Sequence, residues 1–301
     1  MSCYHVPVLA QESVEALVTD PSGIYVDLTF GGGGHSREII QKLNKGKLFA
    51  FDQDEDASKE AAKISYEHFT FIKANFRFAK RYLKLYGITA VDGILADLGV
   101  SSHQLDRPDR GFSIRYNAPL DMRMNRQQPL TAADVLATYD IAALKRIFKE
   151  YGEVPNAGRL AETIAAARVR QPIRTVMDLL SILEKFAPRF REYRYYAQVF
   201  QALRIEVNDE LTALQEMLQQ AAELIKPGGR LVVLSYHSLE DRLVKNFINK
   251  GKFEGEVEKD MYGNAIKPFQ ALYRHVIEPS QEEIMNNHRA RSAKMRVAVK
   301  V

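Results

Sequence analysis

Along the first hundred residues, short apolar runs alternate with segments of helical period. The runs Ile24–Leu28, Lys47–Phe51, Phe69–Lys73 and Val91–Ala96 have the length of buried strands. Val8–Val18 precedes them, and Ser36–Leu43, Asp54–Ile64 and Arg77–Leu85 lie between them; all four repeat with helical spacing. Strands joined by helical crossovers predict an α/β fold with a parallel, doubly wound sheet. From about Gln104 to Asn208 the strand signal stops. A loop rich in Arg, Pro and Asp leads into helical patterns at Ala132–Thr138, Ile141–Tyr151, Arg159–Arg170, Val176–Phe186 and Tyr195–Val207. The alternation then resumes with a helix over Asp209–Ile225, closed by Pro227-Gly-Gly, and a strand over Arg230–Ser235. A helix over Leu239–Asn249 follows, with Ser238 as its expected cap and Asp241 three residues on. Lys294–Val301 alternates with period two and predicts a closing strand. The pattern divides the chain into a sheet domain, residues 1–103 with 208–301, and an inserted helical domain, residues 104–207.

Composition narrows the classes. With 301 residues, 46% hydrophobic and 27% charged, the chain has ample material for a core. Cys3 is its single cysteine, and its seven histidines show no paired spacing, so neither a disulfide framework nor a metal site is expected. The start, Met1-Ser-Cys-Tyr-His-Val, has no secretory pattern, and no apolar run reaches membrane-spanning length, so a cytoplasmic protein without a membrane partner is expected. A net charge of +4 allows a polyanionic partner without requiring one.

The densest chemical signal is Tyr25-Val-Asp-Leu-Thr-Phe-Gly-Gly-Gly-Gly-His35, answered by Phe49-Ala-Phe-Asp52. An acid at each of two strand tips, with glycines between, describes a nucleotide-type cofactor site at the edge of a parallel sheet. Which nucleotide follows from what is missing. Counting from Gly31, the third glycine of a dinucleotide fingerprint would fall at Ser36, and no lysine follows for a phosphate-binding loop. A cofactor without phosphates fits better, and S-adenosylmethionine is one. Its ribose suits Asp52, while its cationic end and the glycine turn suit Asp27. A dinucleotide-dependent oxidoreductase is the enzymatic rival, and a non-catalytic RNA-binding protein on the same fold is the other. The fourth strand brings Asp97 to the same edge, where enzymes that methylate exocyclic amines of bases keep an acid or amide. An aromatic amine is a poor nucleophile, and a fixed acceptor orients its lone pair.

Several longer motifs share one resemblance. Thr29-Phe-Gly-Gly-Gly-Gly-His35, Asp97-Leu-Gly-Val-Ser-Ser-His-Gln104, Arg110-Gly-Phe-Ser113, Pro119-Leu-Asp-Met-Arg-Met124, Phe200-Gln-Ala-Leu-Arg-Ile-Glu-Val-Asn208, Ser235-Tyr-His-Ser-Leu-Glu-Asp-Arg242 and Arg289-Ala-Arg-Ser-Ala-Lys294 stand in this order. Together they resemble the bacterial small-subunit ribosomal RNA methyltransferase H (MraW) family, from Tyr4 to the C-terminus. The resemblance implies a class I, Rossmann-like S-adenosylmethionine-dependent methyltransferase fold with an inserted all-helical domain. It implies methyl transfer to N4 of a cytidine in the decoding region of 16S rRNA. It also implies cofactor contacts at Gly33, Gly34, His35, Asp52, Phe76, Asp97 and Gln104. The chain departs from the family pattern at Ala197-Gln198, where Thr-Arg is usual, and after Tyr151-Gly-Glu, where Pro155 and Gly158 interrupt helix-forming residues.

For the RNA side, three basic stretches stand out. Arg107, Arg110, Arg115, Arg123 and Arg126, with Phe112 and Tyr116, crowd the loop after Asp97. Arg189, Arg191, Arg194 and Arg204 accompany Tyr193, Tyr195 and Tyr196, and His288-Arg-Ala-Arg291 with Lys294 closes the chain. Arginine pairs with phosphate, and exposed rings stack on splayed bases. Arg110 and Arg204 are the substrate-binding candidates, and His237, just past a strand end, joins Asp97 as a catalytic candidate. The number of subunits, one or two, stays open.

Overall fold

The computed structural model describes residues 7–301; Cys3 and the Tyr4 start of the family resemblance lie outside them. Two compact units make up the chain. One comprises residues up to Gly99 together with Leu211–Val301, and the other is Val100–Glu210.

The first unit is built on a seven-stranded sheet. Its strands are β1 (Ile24–Asp27), β2 (Lys47–Asp52), β3 (Phe69–Lys73), β4 (Val91–Asp97), β5 (Ile225–Ser235), β6 (Phe269–Ala271) and β7 (Lys294–Lys300). The order is β3-β2-β1-β4-β5-β7-β6. The first five run parallel, and β7 runs antiparallel to both β5 and β6. This is the Rossmann-like layout the sequence pattern and the resemblance predict. Side chains along the central strands alternate between two cores, as strands buried on both faces must. Val26, Phe49, Phe51, Ile94, Ala96, Leu231 and Val233 enter one; Tyr25, Leu48, Leu95, Val232 and Leu234 enter the other. Gly93 lets β4 pass close to its neighbours, since a Cβ there would sit 2.8 Å from Leu17 Cδ1.

The structure departs from the sequence pattern in particular places. β5 begins at Ile225 rather than Arg230, because Ile225 already pairs with Val91 across an irregularity in the β4 register. The helix after β5 starts one residue earlier than expected. His237 caps it, its Nδ1 accepting from the Glu240 backbone, in place of Ser238 with Asp241. Elements without a clear pattern in the sequence include the three-residue edge strand β6, the helix Gln281–Asn286 and the turn of 3₁₀ helix His288–Ser292.

The second unit has its own core, formed by Leu136, Leu144, Phe148, Leu160, Leu179, Val199 and Leu203 with their neighbours. Its helices are Ser102–Asp106, Ala132–Thr138, Ile141–Glu150, Ala157–Arg170, Val176–Leu183 and Glu192–Asn208. Capping boxes at Ser101/Gln104, Thr131/Asp134 and Thr175/Asp178 start three of them.

Candidate active site

At the carboxyl edge of the sheet, three adjacent strands, β2, β1 and β4, each end in an aspartate: Asp52, Asp27 and Asp97. The loop after β1 stays knitted to both neighbours. Leu28 N donates to Leu95 O, Phe30 N to Phe51 O, and the Asp97 N–H to Thr29 Oγ1 at 2.6 Å. The glycines are shaped by their own surroundings. Gly33 adopts φ +76°, and a Cβ on it would stand 2.5 Å from the Phe30 ring. A Cβ on Gly34, where the helix Gly34–Lys42 begins, would stand 2.9 Å from the Pro7 ring.

The three acids divide the work. Asp27 is 1% exposed, and both its oxygens hold the loop: Oδ1 accepts from Thr29 N and Oδ2 from Ser36 Oγ at 2.6 Å. Asp27 is therefore the brace of the glycine turn, and Ser36, the residue that breaks the dinucleotide fingerprint, is its clamp. Asp52 accepts from Gly31 N and Asp54 N, and burial pushes its carboxyl up to about 6. Asn75 Nδ2 donates to Gln53 Oε1, tying the tip of β2 to the turn after β3 where half-buried Phe76 opens a short 3₁₀ helix.

Asp97 is held by one hydrogen bond and has a buried imidazole beside it. Tyr236 donates its hydroxyl to Oδ1 at 2.7 Å, and His35 Nδ1 stands 3.7 Å from Oδ2. His35 is buried, its Nε2 donating to Val8 O at 3.0 Å, and burial lowers its pKa, so it is a neutral ring. Burial raises Asp97 to about 7, with the Tyr236 hydrogen bond working against the rise and Glu240 adding to it. Two desolvated carboxylates whose ionised forms are disfavoured, at the mouth of a loop with backbone amides, fit a ligand that brings positive charge.

A family model described as the MraW methylase family matches residues 2–301. The chain belongs to the MraW methylase family. Curated relatives carry the name ribosomal RNA small subunit methyltransferase H. That of Cytophaga hutchinsonii is 57% identical over 98% of this chain and 99% of its own, and that of Amoebophilus asiaticus 54% identical over 98% and 96%. A third, from Flavobacterium johnsoniae, is 54% identical over 99% of this chain and 98% of its own. The cofactor of this MraW-family methylase is S-adenosylmethionine, the phosphate-free nucleoside the glycine loop and Asp52 point to.

Three of the remaining site candidates lie in the second unit, and His237 lies in the first. Gln104 lies in the second unit, buried at the start of helix Ser102–Asp106. There its amide and that of Ser101 form a reciprocal capping box with Ser101 Oγ and Gln104 Oε1. Arg110 is 1% exposed and donates to the carbonyls of Arg123 and Met124, so it stitches its own loop rather than facing solvent. Arg204 is bound bidentately by Glu210, both bonds at 2.8 Å. Arg107 and Arg126 pair with Asp109, and Arg123 with Asp121. Three of the five arginines in the first basic cluster thus pair with two carboxylates of the same stretch.

His237 stands at the helix cap, with Nε2 3.1 Å from Glu240 Oε1. The side chain that reaches Asp97 from this motif is Tyr236, which sequence reasoning passed over in favour of the more ionisable neighbour. The signal was present in the register. Asp97 pairs with Leu234 across parallel strands, so the residue two beyond Leu234 emerges beside the tip of β4.

Proposed function

We propose that the chain methylates 16S rRNA of the small ribosomal subunit, at N4 of a cytidine in the decoding region. The observation that carries the reading is Asp97: a strand-tip carboxylate beside the glycine loop, pinned by Tyr236, with a pKa near the working pH. The shared name of relatives at 54–57% identity supports the RNA substrate. When bound, S-adenosylmethionine supplies an electrophilic methyl group.

The protein's own groups do the rest. Asp52 is the acceptor for ribose hydroxyls, with Gly33, Gly34 and His35 shaping the loop beneath the cofactor and Phe76 beside its base. The ionised Asp97 accepts a hydrogen bond from the exocyclic amine and turns the nitrogen lone pair toward the methyl group. Once nitrogen gains its fourth substituent it becomes strongly acidic, and a carboxylate with pKa of about 7 is well matched to take the proton. Tyr236 fixes which Asp97 oxygen is free for this. The role of His237 is a contact to the target cytidine, made from its place at the helix cap.

Methyl incorporation into small subunits from a strain lacking its own enzyme tests the reading. Wild type labels them, and Asp97→Ala loses about 100-fold or more, the scale of orientation and base catalysis combined. An Asp97→Ala protein of full activity contradicts the role of Asp97.

A further inference from the structure

Within the second unit, the turn Pro188-Arg189-Phe190-Arg191 before the helix Glu192–Asn208 is anomalous on two independent counts. Phe190 has φ +64°, in the left-handed region that a side-chain-bearing residue adopts only under strain. Its ring is also 96% exposed, so burial offsets none of that strain. Glycine would satisfy the turn more cheaply. The folded unit gains nothing from a benzyl group held there.

The surroundings say what the ring faces. Arg189 and Arg191 flank it, and Arg194 and the 78%-exposed Tyr193 lie on the next helical turn. Among the described residues none of these three arginines has a carboxylate partner, whereas Arg77, Arg123, Arg146, Arg204 and Arg296 all do. Glu192 is committed to the turn itself, accepting from Phe190 N at 3.0 Å. Tyr193 packs edge-on against Tyr196, centroids 6.4 Å apart, which steadies this second exposed ring three residues on. Tyr195, by contrast, is 3% exposed and bonded to Asn156, so it belongs to the core.

We infer that Phe190 and Tyr193, framed by Arg189, Arg191 and Arg194, form a stacking platform for unpaired bases of a single-stranded RNA segment. The arginines take its phosphates and the rings its bases, the division of labour that binds single strands without reading their sequence. An apolar protein partner would match the rings and leave three unpaired guanidiniums desolvated, so the charge complementarity favours RNA. The inference rests on the rRNA reading above.

The test is affinity for a short fluorescein-labelled single-stranded RNA of mixed sequence, with the full-length protein. Phe190→Gly is the informative variant because it relieves the backbone, so its melting temperature equals or exceeds that of wild type. Its RNA affinity falls by about fivefold or more, the loss of one stacked base, while Phe190→Trp binds at least as well as wild type. Arg189→Ala with Arg191→Ala flattens the salt dependence of binding. Unchanged affinity in Phe190→Gly overturns the proposal. So does a loss seen only on whole small subunits with RNA affinity intact, which assigns the patch to a ribosomal protein. Wild-type protein that binds no RNA and methylates no subunit removes the rRNA reading itself, and this platform with it.

Discussion

At the residue scale, the site turns on what holds Asp97. In the proposed mechanism its ionised form is the acceptor, so with a pKa raised to about 7 the expected kcat/KM rises as pH climbs through that value. Removing the Tyr236 hydroxyl withdraws a hydrogen bond that favours the ionised form. Tyr236→Phe therefore shifts the pH–rate profile to higher pH and lowers kcat by roughly tenfold through lost orientation. A profile unmoved by Tyr236→Phe would show that the hydroxyl does not govern Asp97. His237 separates by the same kind of reasoning. His237→Asn keeps a good helix cap and His237→Ala does not. If the imidazole contacts cytidine as proposed, both lose activity while only the alanine variant loses stability, by about 1 kcal/mol; a fully active His237→Asn would confine the residue to capping.

At the element scale, the glycine loop is a strand-to-helix turn whose geometry comes from packing as much as from ligand approach. Ser36 is the test case, since Ser36→Gly would complete the dinucleotide spacing. It also strips the buried Asp27 of a 2.6 Å hydrogen bond, and the expected cost is about 1–3 kcal/mol in chemical denaturation, with no gain of NAD binding. The parallel strands were legible in the sequence because burial on both faces writes continuous apolar runs, and their tips followed from the acids that end them. β6 was not legible, because three residues carry no period, and its partner β7 supplies the pairing. The helix cap at His237 was misread by one residue because Ser-x-x-Asp and His-x-x-Glu overlap in the same stretch, and backbone geometry chose the second. Arg110 and Arg204 read as RNA ligands because sequence shows charge but not its nearest partner. One is folded onto carbonyls and the other onto Glu210. Phe190 carried no signal at all, since neither a positive φ nor exposure is visible in residue order.

At the scale of the molecule, the raised acids couple cofactor binding to stability. Asp52 and Asp97 are raised from the ordinary carboxylate range to about 6 and about 7. The stability they contribute in the ligand-free protein is therefore present below the ordinary carboxylate pKa and lost as pH rises through these values. In the proposed site a cationic ligand beside Asp97 favours its ionised form and reverses that loss, while Asp52 takes the ribose hydroxyls. S-adenosylmethionine should raise the melting temperature more at about pH 8 than at about pH 5.5, and its advantage over S-adenosylhomocysteine, which lacks the sulfonium charge, should widen in the same direction. An advantage that is flat in pH would remove Asp97 from recognition of the sulfonium. None of the helices among the described residues is long and apolar enough to cross a membrane.

The most direct measurement is on the product. Small subunits from a strain lacking the endogenous enzyme, treated with purified protein and S-adenosylmethionine, are digested and their nucleosides mapped by mass spectrometry. The account predicts N4-methylcytidine at one position in the decoding region of 16S rRNA, absent when Asp97→Ala replaces the wild type. A methyl group on a ring carbon, on ribose, or on a base without an exocyclic amine would contradict it.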